Sequence, residues 1–204
     1  VDRIRAQVND KRYYALSRLT QLMCEGEAFG VDKLGDEGRA AALTPRKLWK
    51  RYQELLSTAE IELYYCGSAA PDRVAEALSA ALSGLPRSEE RLEADCEVRL
   101  HAGAEPRLEE ERMDVTQGKL ALGFRTGGIT CWEEDYPALV MCNAVFGATP
   151  LSKLFLNVRE KRSLCYYASS NLEKMKGLLL VSSGIEFGQY QQARDEILAQ
   201  LEAI

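Results

Sequence analysis

The sequence predicts an α+β fold, with antiparallel or mixed sheets and helices on one side in two layers. The main observation is that strand patterns are mixed with pairs of helical patterns and do not alternate strictly with single helices. The composition, 46% hydrophobic and 28% charged residues, is that of a soluble globular protein. The 204 residues suffice for one large domain or two modest ones, each with its own core.

The first predicted element is a long amphipathic helix over residues 3–25, where apolar residues recur mostly at three- and four-residue spacing. A loop over residues 26–38 follows, with four glycines. Thr44 then has the side chain of an N-cap, and Pro45 suits the first position of a helix. We therefore expect a second helix to begin at this pair.

Alternating residues over Ile61–Gly67 predict a strand, and a helix from Pro71 to Pro86 follows it. Residues 87–112 are densely charged and poor in bulky apolar side chains, which is typical of a linker. The sequence thus predicts one domain over residues 1–86, a charged linker over 87–112 and a second domain over 113–204. The acids Glu109–Glu111 are interpreted as a solvated face of this linker.

The second domain mixes predicted strands, the first of them with small residues where another element packs closely, with segments of helical spacing. Strands are predicted at residues 118–125, 164–171 and 178–185, and helices at residues 133–146, 151–162 and 189–204.

Charge and cysteine content limit the classes of binding partner and the cellular location that we expect. With a formal net charge of -5, the chain lacks the excess of positive charge that is typical of proteins that bind nucleic acid. No apolar run reaches the roughly 18 residues that a membrane span needs. The six cysteines show no Cys-x-x-Cys pair, so we expect free thiols and a cytoplasmic protein. Because the chain opens at Val1 without an initiator methionine, we also expect it to be a fragment.

His101 is the single histidine, so the chain cannot supply the two imidazoles of a zinc peptidase motif. We predict no catalytic residue and no metal ligand in this chain. A hydrolase that pairs a cysteine with His101 is disfavoured, because His101 lies in the charged linker, far in sequence from any cysteine in a strand-to-helix turn.

Arg159 and Tyr166 flank the junction between a predicted helix and the next strand. Spacing alone favours a structural explanation, in which Arg159 caps carbonyls at the helix end or pairs with Glu160 or Glu173. A strand tyrosine is ordinarily a half-buried packing residue. Taken singly, neither residue defines a site.

Together, however, the residues around them resemble the C-terminal half of the pitrilysin-like metallopeptidases, which include insulin-degrading enzyme and the mitochondrial processing peptidases. The shared pattern is a glycine-rich turn, a Ser-x-Leu-Phe sequence, an arginine and a tyrosine seven residues later. The matching segments are Phe146-Gly147-Ala148, Ser152-Lys153-Leu154-Phe155, Val158-Arg159-Glu160, Ser163-Leu164-Cys165-Tyr166 and Gly177-Leu178-Leu179.

The resemblance implies a pitrilysin-like fold, with the chain spanning the end of the N-terminal half and the start of the C-terminal half. The family's His-x-x-Glu-His motif would precede Val1, and residues 1–12 contain no convincing third zinc ligand. The resemblance therefore implies a zinc-free member. Arg159 would donate to a peptide carbonyl, Tyr166 would add a hydrogen bond to the backbone or oxyanion, and the loop Gly147–Pro150 would set where the helix starts.

The implied function is that of a non-catalytic partner subunit that binds a peptide substrate. Zinc is expected only in a catalytic partner or in upstream sequence, and the expected partner is a zinc-bearing sibling subunit or a second copy. The alternative is a structural or scaffold member of the fold without peptide chemistry, in which Arg159 only caps its helix.

Overall fold

The computed structural model describes residues 1–93, 97–103 and 105–204. These residues form two compact units, one made of Val1–Gly35 with Cys96–Ile204 and the other of Asp36–Asp95. Residues 94–96 and 104 of the predicted linker, Cys96 among them, lie outside the described residues. The division into domains 1–86 and 113–204 stays a prediction.

The N-terminal helical region is interrupted at Asp10. Helix α1 (Asp2–Ala6) continues into a 3₁₀ turn (Gln7–Asn9), and helix α2 (Lys11–Met23) begins after Asp10. The Asp10 carboxylate accepts hydrogen bonds from two backbone N–H groups of the first turn of α2. The predicted long helix over residues 3–25 is divided here, at the polar Asn9-Asp10-Lys11 stretch that interrupts its apolar pattern, because an N-cap side chain offers the backbone an alternative to helix.

The second unit is helical, with α3 (Glu37–Ala41), α4 (Pro45–Thr58) and α5 (Pro71–Leu82). The predicted cap is confirmed, since the Thr44 hydroxyl accepts the N–H of Lys47 at 3.3 Å. The strand predicted at Ile61–Gly67 was wrong: the structure has no strand there. Alternation produces a strand only where a neighbour takes up the backbone hydrogen bonds, and no described strand lies beside this segment.

A three-stranded sheet lies at the centre of the first unit. Strands β1 (Gly118–Arg125), β2 (Cys165–Glu173) and β3 (Leu178–Ile185) pair in the order β1-β3-β2, and both pairings are antiparallel. The turn between β2 and β3 ends at Gly177, whose φ of +60° favours glycine. The predicted α+β class and antiparallel sheet are thereby confirmed.

One face of the sheet forms the core with the helices that follow β1. These are α6 (Tyr136–Asn143), two π-helical segments (Ala144–Ala148 and Leu154–Lys161), a 3₁₀ turn (Phe187–Gln189) and α7 (Tyr190–Glu202). The buried core residues are Leu120, Phe146, Leu154, Val158, Leu164, Ala168, Leu179, Val181, Ile185, Ala193 and Ile197.

Helix α2 packs against the opposite face of the sheet. A Cβ at Gly123 would overlap the end of the Met23 side chain, so the glycine gives α2 room to pack close to β1. On the same face, the Arg12 guanidinium lies 4.5 Å from the centroid of the Tyr167 ring. The sheet of this unit therefore carries helices on both faces, whereas the sequence predicted helices on one side.

Candidate functional site

Arg159 lies near the end of the second π-helical segment. Its Nη1 is 3.6 Å from Oε1 of Glu160, and its guanidinium carbon is 4.7 Å from the centroid of the Phe155 ring. The side chain remains 40% exposed. An ion pair between exposed neighbours at this distance contributes at most about 1 kcal/mol, so it leaves the guanidinium available to a ligand.

Tyr166 follows a sharp turn out of that segment. Ser163 has a φ of +53°, in the left-handed region that bulky residues avoid, and it directs the chain into β2. The pairing of β2 with β3 then slips between Cys165 and Tyr167, so Tyr166 lies in a β-bulge. Bulges change the direction of a side chain at a strand end, and the Tyr166 side chain is 48% exposed.

A groove of about 440 Å³ contains both predicted residues. It lies between the end of the π-helical segment, the start of β2 and the turn before α7. Its lining residues are Arg159, Glu160, Ser163, Leu164, Cys165, Tyr166, Glu186 and Gln189. Arg159 and Tyr166 therefore face a common space and neither is sealed in the hydrophobic core.

Glu186 is a groove residue that the sequence analysis missed. The Tyr166 hydroxyl donates a hydrogen bond to its carboxylate. A signal was present, because counting residues from the turn between β2 and β3 places residue 186 beside the start of β2.

Gln189 is the second groove residue that was missed. Its Oε1 is buried and has no hydrogen-bond donor among the residues that the structure describes. Gln189 is held near Glu186 because its backbone N–H donates to the Glu186 carbonyl at 3.0 Å. The wall of the groove thus offers the Glu186 carboxylate as an acceptor, whereas the buried Gln189 Oε1 is not accessible from it.

Two neighbours of the predicted pair have other surroundings. Arg162 Nε lies 2.9 Å from Glu196 Oε2, so this arginine joins the helix end to α7.

Burial raises the pKa of the Cys165 thiol, and a hydrogen bond with Ser183 and the charge of Arg159 lower it by less. A protonated thiol is a poor nucleophile, which disfavours a cysteine hydrolase at this groove.

No group of three or more His, Cys, Asp or Glu side chains within residues 1–93, 97–103 and 105–204 is placed to hold a metal ion. The described residues therefore do not fit a zinc site, which is compatible with the expectation that zinc would come from elsewhere. Over the same residues, no helix is both long and apolar enough to span a bilayer.

Comparison with known proteins identifies the family. The family model for the peptidase M16 inactive domain matches residues 42–204. The chain belongs to this family. The resemblance to pitrilysin-like metallopeptidases is thus confirmed.

Individual relatives of this M16 chain support the family assignment. A protein of Bacillus subtilis (strain 168) named probable inactive metalloprotease YmfF is 38% identical over 204 residues, which are 99% of this chain and 46% of that protein. A crystal structure of a conserved protein from Enterococcus faecalis V583 matches with 29% identity and a TM-score of 0.81, over 97% of this chain and 46% of the other.

A peptidase M16 inactive domain from Pseudomonas fluorescens, at 19% identity and a TM-score of 0.62, shows the fold alone, over 97% of this chain and 48% of the other. The M16 chain thus spans about half the length of the relatives it matches. A non-catalytic member of the peptidase fold is supported, because the description of the matching family names an inactive domain.

Proposed function

We propose that this chain is the peptide-binding part of a non-catalytic M16 protein, in which Arg159 and Tyr166 hold a backbone carbonyl of an extended peptide. The observation that carries the proposal is the shared groove: both side chains line it, and both are partly exposed.

The chemistry of the two groups suits a carbonyl oxygen. A guanidinium offers N–H donors in a fixed planar arrangement, and a phenol offers one O–H donor. A carbonyl oxygen has two lone pairs, so it can accept one hydrogen bond from each group at the same time. The pair thus provides the contacts that orient a peptide, and binding alone needs no metal.

Hydrolysis of the bound peptide would require a catalytic centre from elsewhere. The proposal therefore includes a zinc-bearing sibling subunit, or a second copy of the protein, that completes a chamber for the peptide. It also places the protein in the cytoplasm, a setting consistent with the five described cysteines, all of which are free thiols.

The test measures peptide affinity of the intact protein, purified with any partner that remains bound. The probe is a fluorescein-labelled library of unstructured nonapeptides, and the readout is anisotropy. Arg159→Ala and Tyr166→Phe should each raise the Kd about five- to tenfold, since a lost hydrogen bond costs about 1 kcal/mol or more. The exposed Arg46 and Tyr13 provide matched controls, Arg46→Ala and Tyr13→Phe, which should leave the Kd unchanged.

A scaffold without peptide chemistry is the second candidate, and the contacts of Arg159 with Glu160 and Phe155 favour it. In that case Arg159→Ala should lower the melting temperature and leave peptide affinity unaltered. Unchanged affinity in both Arg159→Ala and Tyr166→Phe would remove the peptide-binding proposal and leave the scaffold.

A further inference from the structure

A second cluster of polar side chains lies on the sheet face that packs against α2, and it contains none of the residues that line the groove. Lys119 of β1 and Tyr167 of β2 both pair with Gly184 of β3, so their side chains project from the same face of the sheet. A Cβ at Gly184 would overlap the Tyr167 ring. The ring therefore lies over this glycine, in a row with Lys119 across the three strands.

Two cations lie around the Tyr167 ring. The guanidinium carbon of Arg12 is 4.5 Å from the ring centroid, and Lys119 Nζ is 5.8 Å from it. Arg12 also donates a hydrogen bond from Nη2 to the Ser169 hydroxyl at 3.0 Å. The ring and the hydroxyl thus hold the guanidinium at two points, beside the same ring that Lys119 approaches.

Neither cation forms an ion pair with a carboxylate among the residues that the structure describes. Asp10 is the acid nearest to Arg12 in sequence, but its carboxylate accepts the backbone N–H groups of Arg12 and Tyr13 at 3.1 Å and 3.0 Å. Lys119 Nζ donates to the neutral Oε1 of Gln117 at 3.3 Å. The positive charge of the cluster is therefore not balanced by an acidic side chain of the described residues.

The cluster also has more hydrogen-bond donors than acceptors. A guanidinium carries five N–H donors and an ammonium three. The Ser169 hydroxyl accepts from Arg12, and its own O–H has no acceptor among the described residues. Two like charges beside one ring repel each other unless an anion lies between them. A phosphoryl group supplies both missing components, because at pH 7 it carries a charge of about -1.5 to -2 and three acceptor oxygens.

We propose that Arg12, Lys119 and Ser169 bind the phosphoryl group of a small molecule on the α2 face of the sheet. Arg12 contributes N–H donors in a planar arrangement that matches phosphate oxygens, Lys119 contributes a point charge, and Ser169 contributes its O–H. Tyr167 is a positioning residue, because cation–π attraction to its ring holds the guanidinium of Arg12. The site shares no residue with the peptide groove, so it is independent of the proposed function.

The test is isothermal titration calorimetry of the intact protein with inorganic phosphate, in a buffer with about 0.1 M chloride, which screens charges beyond about 10 Å. We expect a Kd below about 1 mM. Acetate, which carries a single charge, should bind at least about tenfold more weakly. A phosphate Kd above about 1 mM, or acetate binding as tight as phosphate binding, would overturn the proposal.

Glycerol phosphate, a phosphate monoester, is titrated in parallel to identify the source of the phosphoryl group. Tighter binding of the ester than of inorganic phosphate assigns the site to a phosphorylated small molecule. Equal or weaker binding of the ester assigns it to free phosphate.

Arg12→Gln and Lys119→Gln each remove one charge from the site. Each should raise the phosphate Kd about tenfold, in line with the strength of hydrogen bonds to charged groups. The matched control is the double variant Arg46→Gln with Lys47→Gln, which removes two exposed cations of α4 and should leave the Kd unchanged. An equal weakening in the control would show that phosphate responds only to the overall charge, and would overturn the site.

The positioning role of Tyr167 is tested with two variants that keep both cations. Tyr167→Leu removes the ring and should raise the phosphate Kd about two- to fivefold, as expected for the loss of an exposed cation–π contact. Tyr167→Phe keeps the ring and should bind phosphate as the wild type does. Wild-type affinity in Tyr167→Leu, or equal losses in the two variants, would overturn the role of the ring.

Discussion

Nη2 of Arg125 lies 2.5 Å from Oε1 of Glu27, and their side chains are 6% and 1% exposed. Lys176 Nζ lies 3.5 Å from the other carboxylate oxygen of Glu27. Arg125 also donates to the carbonyl of Met23 at 2.7 Å. This buried cluster joins the end of α2, the end of β1 and the turn between β2 and β3, so it fixes α2 on the sheet.

Removing the carboxylate of this cluster should be strongly destabilising. In Glu27→Ala, two buried cations lose their counter-charge, and breaking a buried ion pair on one side costs about 3–5 kcal/mol. The measurement is the free energy of unfolding in urea, followed by circular dichroism. Glu25→Ala is a matched control two residues away, since Glu25 is 70% exposed and its pair with Arg107 should contribute at most about 1 kcal/mol. Equal losses in the two variants would contradict the structural role of Glu27.

Gly147 lets the first π-helical segment pack directly against β2. A Cβ at this position would lie 2.8 Å from the backbone nitrogen of Ser170 and 2.5 Å from its Oγ. The Ser170 hydroxyl is itself hydrogen-bonded to Asn143 at 2.6 Å in the buried layer. Gly147→Ala should therefore lower the free energy of unfolding by about 1–3 kcal/mol, as overpacking does.

The control for Gly147 is Gly84→Ala, because nothing lies within 4 Å of a Cβ built there. Differential scanning calorimetry should show a lowered melting temperature for Gly147→Ala and little change for Gly84→Ala. A Gly147→Ala protein as stable as the wild type would show that the first π-helical segment can move away from β2 without a loss of stability.

Glu111 should make the stability of the first unit depend on pH. Its Oε1 lies 2.6 Å from Arg18 Nε, and its Oε2 accepts the Tyr14 hydroxyl at 2.8 Å. The hydrogen bond from Arg18 is the main cause that holds the pKa of Glu111 below its ordinary value, with Tyr14 adding to it and burial opposing it. A lowered folded-state pKa means that the stabilisation is present above the unfolded pKa of about 4.3 and disappears as the pH falls through the folded value.

Glu111→Gln should therefore destabilise the protein more at pH 7 than at pH 3, as measured by urea unfolding at both pH values. The expected difference at pH 7 is below about 1 kcal/mol, since the pair is partly exposed and screened by solvent. The neighbouring Glu110, paired only with a highly exposed arginine, supplies the control Glu110→Gln. A larger effect of Glu111→Gln at pH 3 than at pH 7 would show that folding does not lower the pKa of Glu111.

Several elements could be predicted because their signals are local. The cap at Thr44 depends on one side chain and the next turn of backbone, and β3 was predicted over its observed range because the strand-sized apolar run 178–181 lies within it. The failures at Asp10 and Ile61–Gly67 have a common cause. Whether a helix breaks or a strand forms depends on which groups accept and donate the backbone hydrogen bonds. The spacing of apolar residues does not show which groups these are.

The candidate site could be predicted only in part for the same reason. Arg159 and Tyr166 are seven residues apart and were found through a family pattern. Glu186 is twenty residues from Tyr166 in the chain and meets it only through the pairing of β2 with β3. The structure also altered the interpretation of Glu111, which pairs with α2 and is no simple solvated acid.

The most direct measurement of the proposed role is a crystal structure of the intact protein with a bound peptide. We expect one peptide carbonyl oxygen to lie within about 3.2 Å of both a guanidinium nitrogen of Arg159 and the hydroxyl of Tyr166, with that hydroxyl moved away from Glu186. A peptide bound outside the groove, with Tyr166 still donating to Glu186, would contradict it.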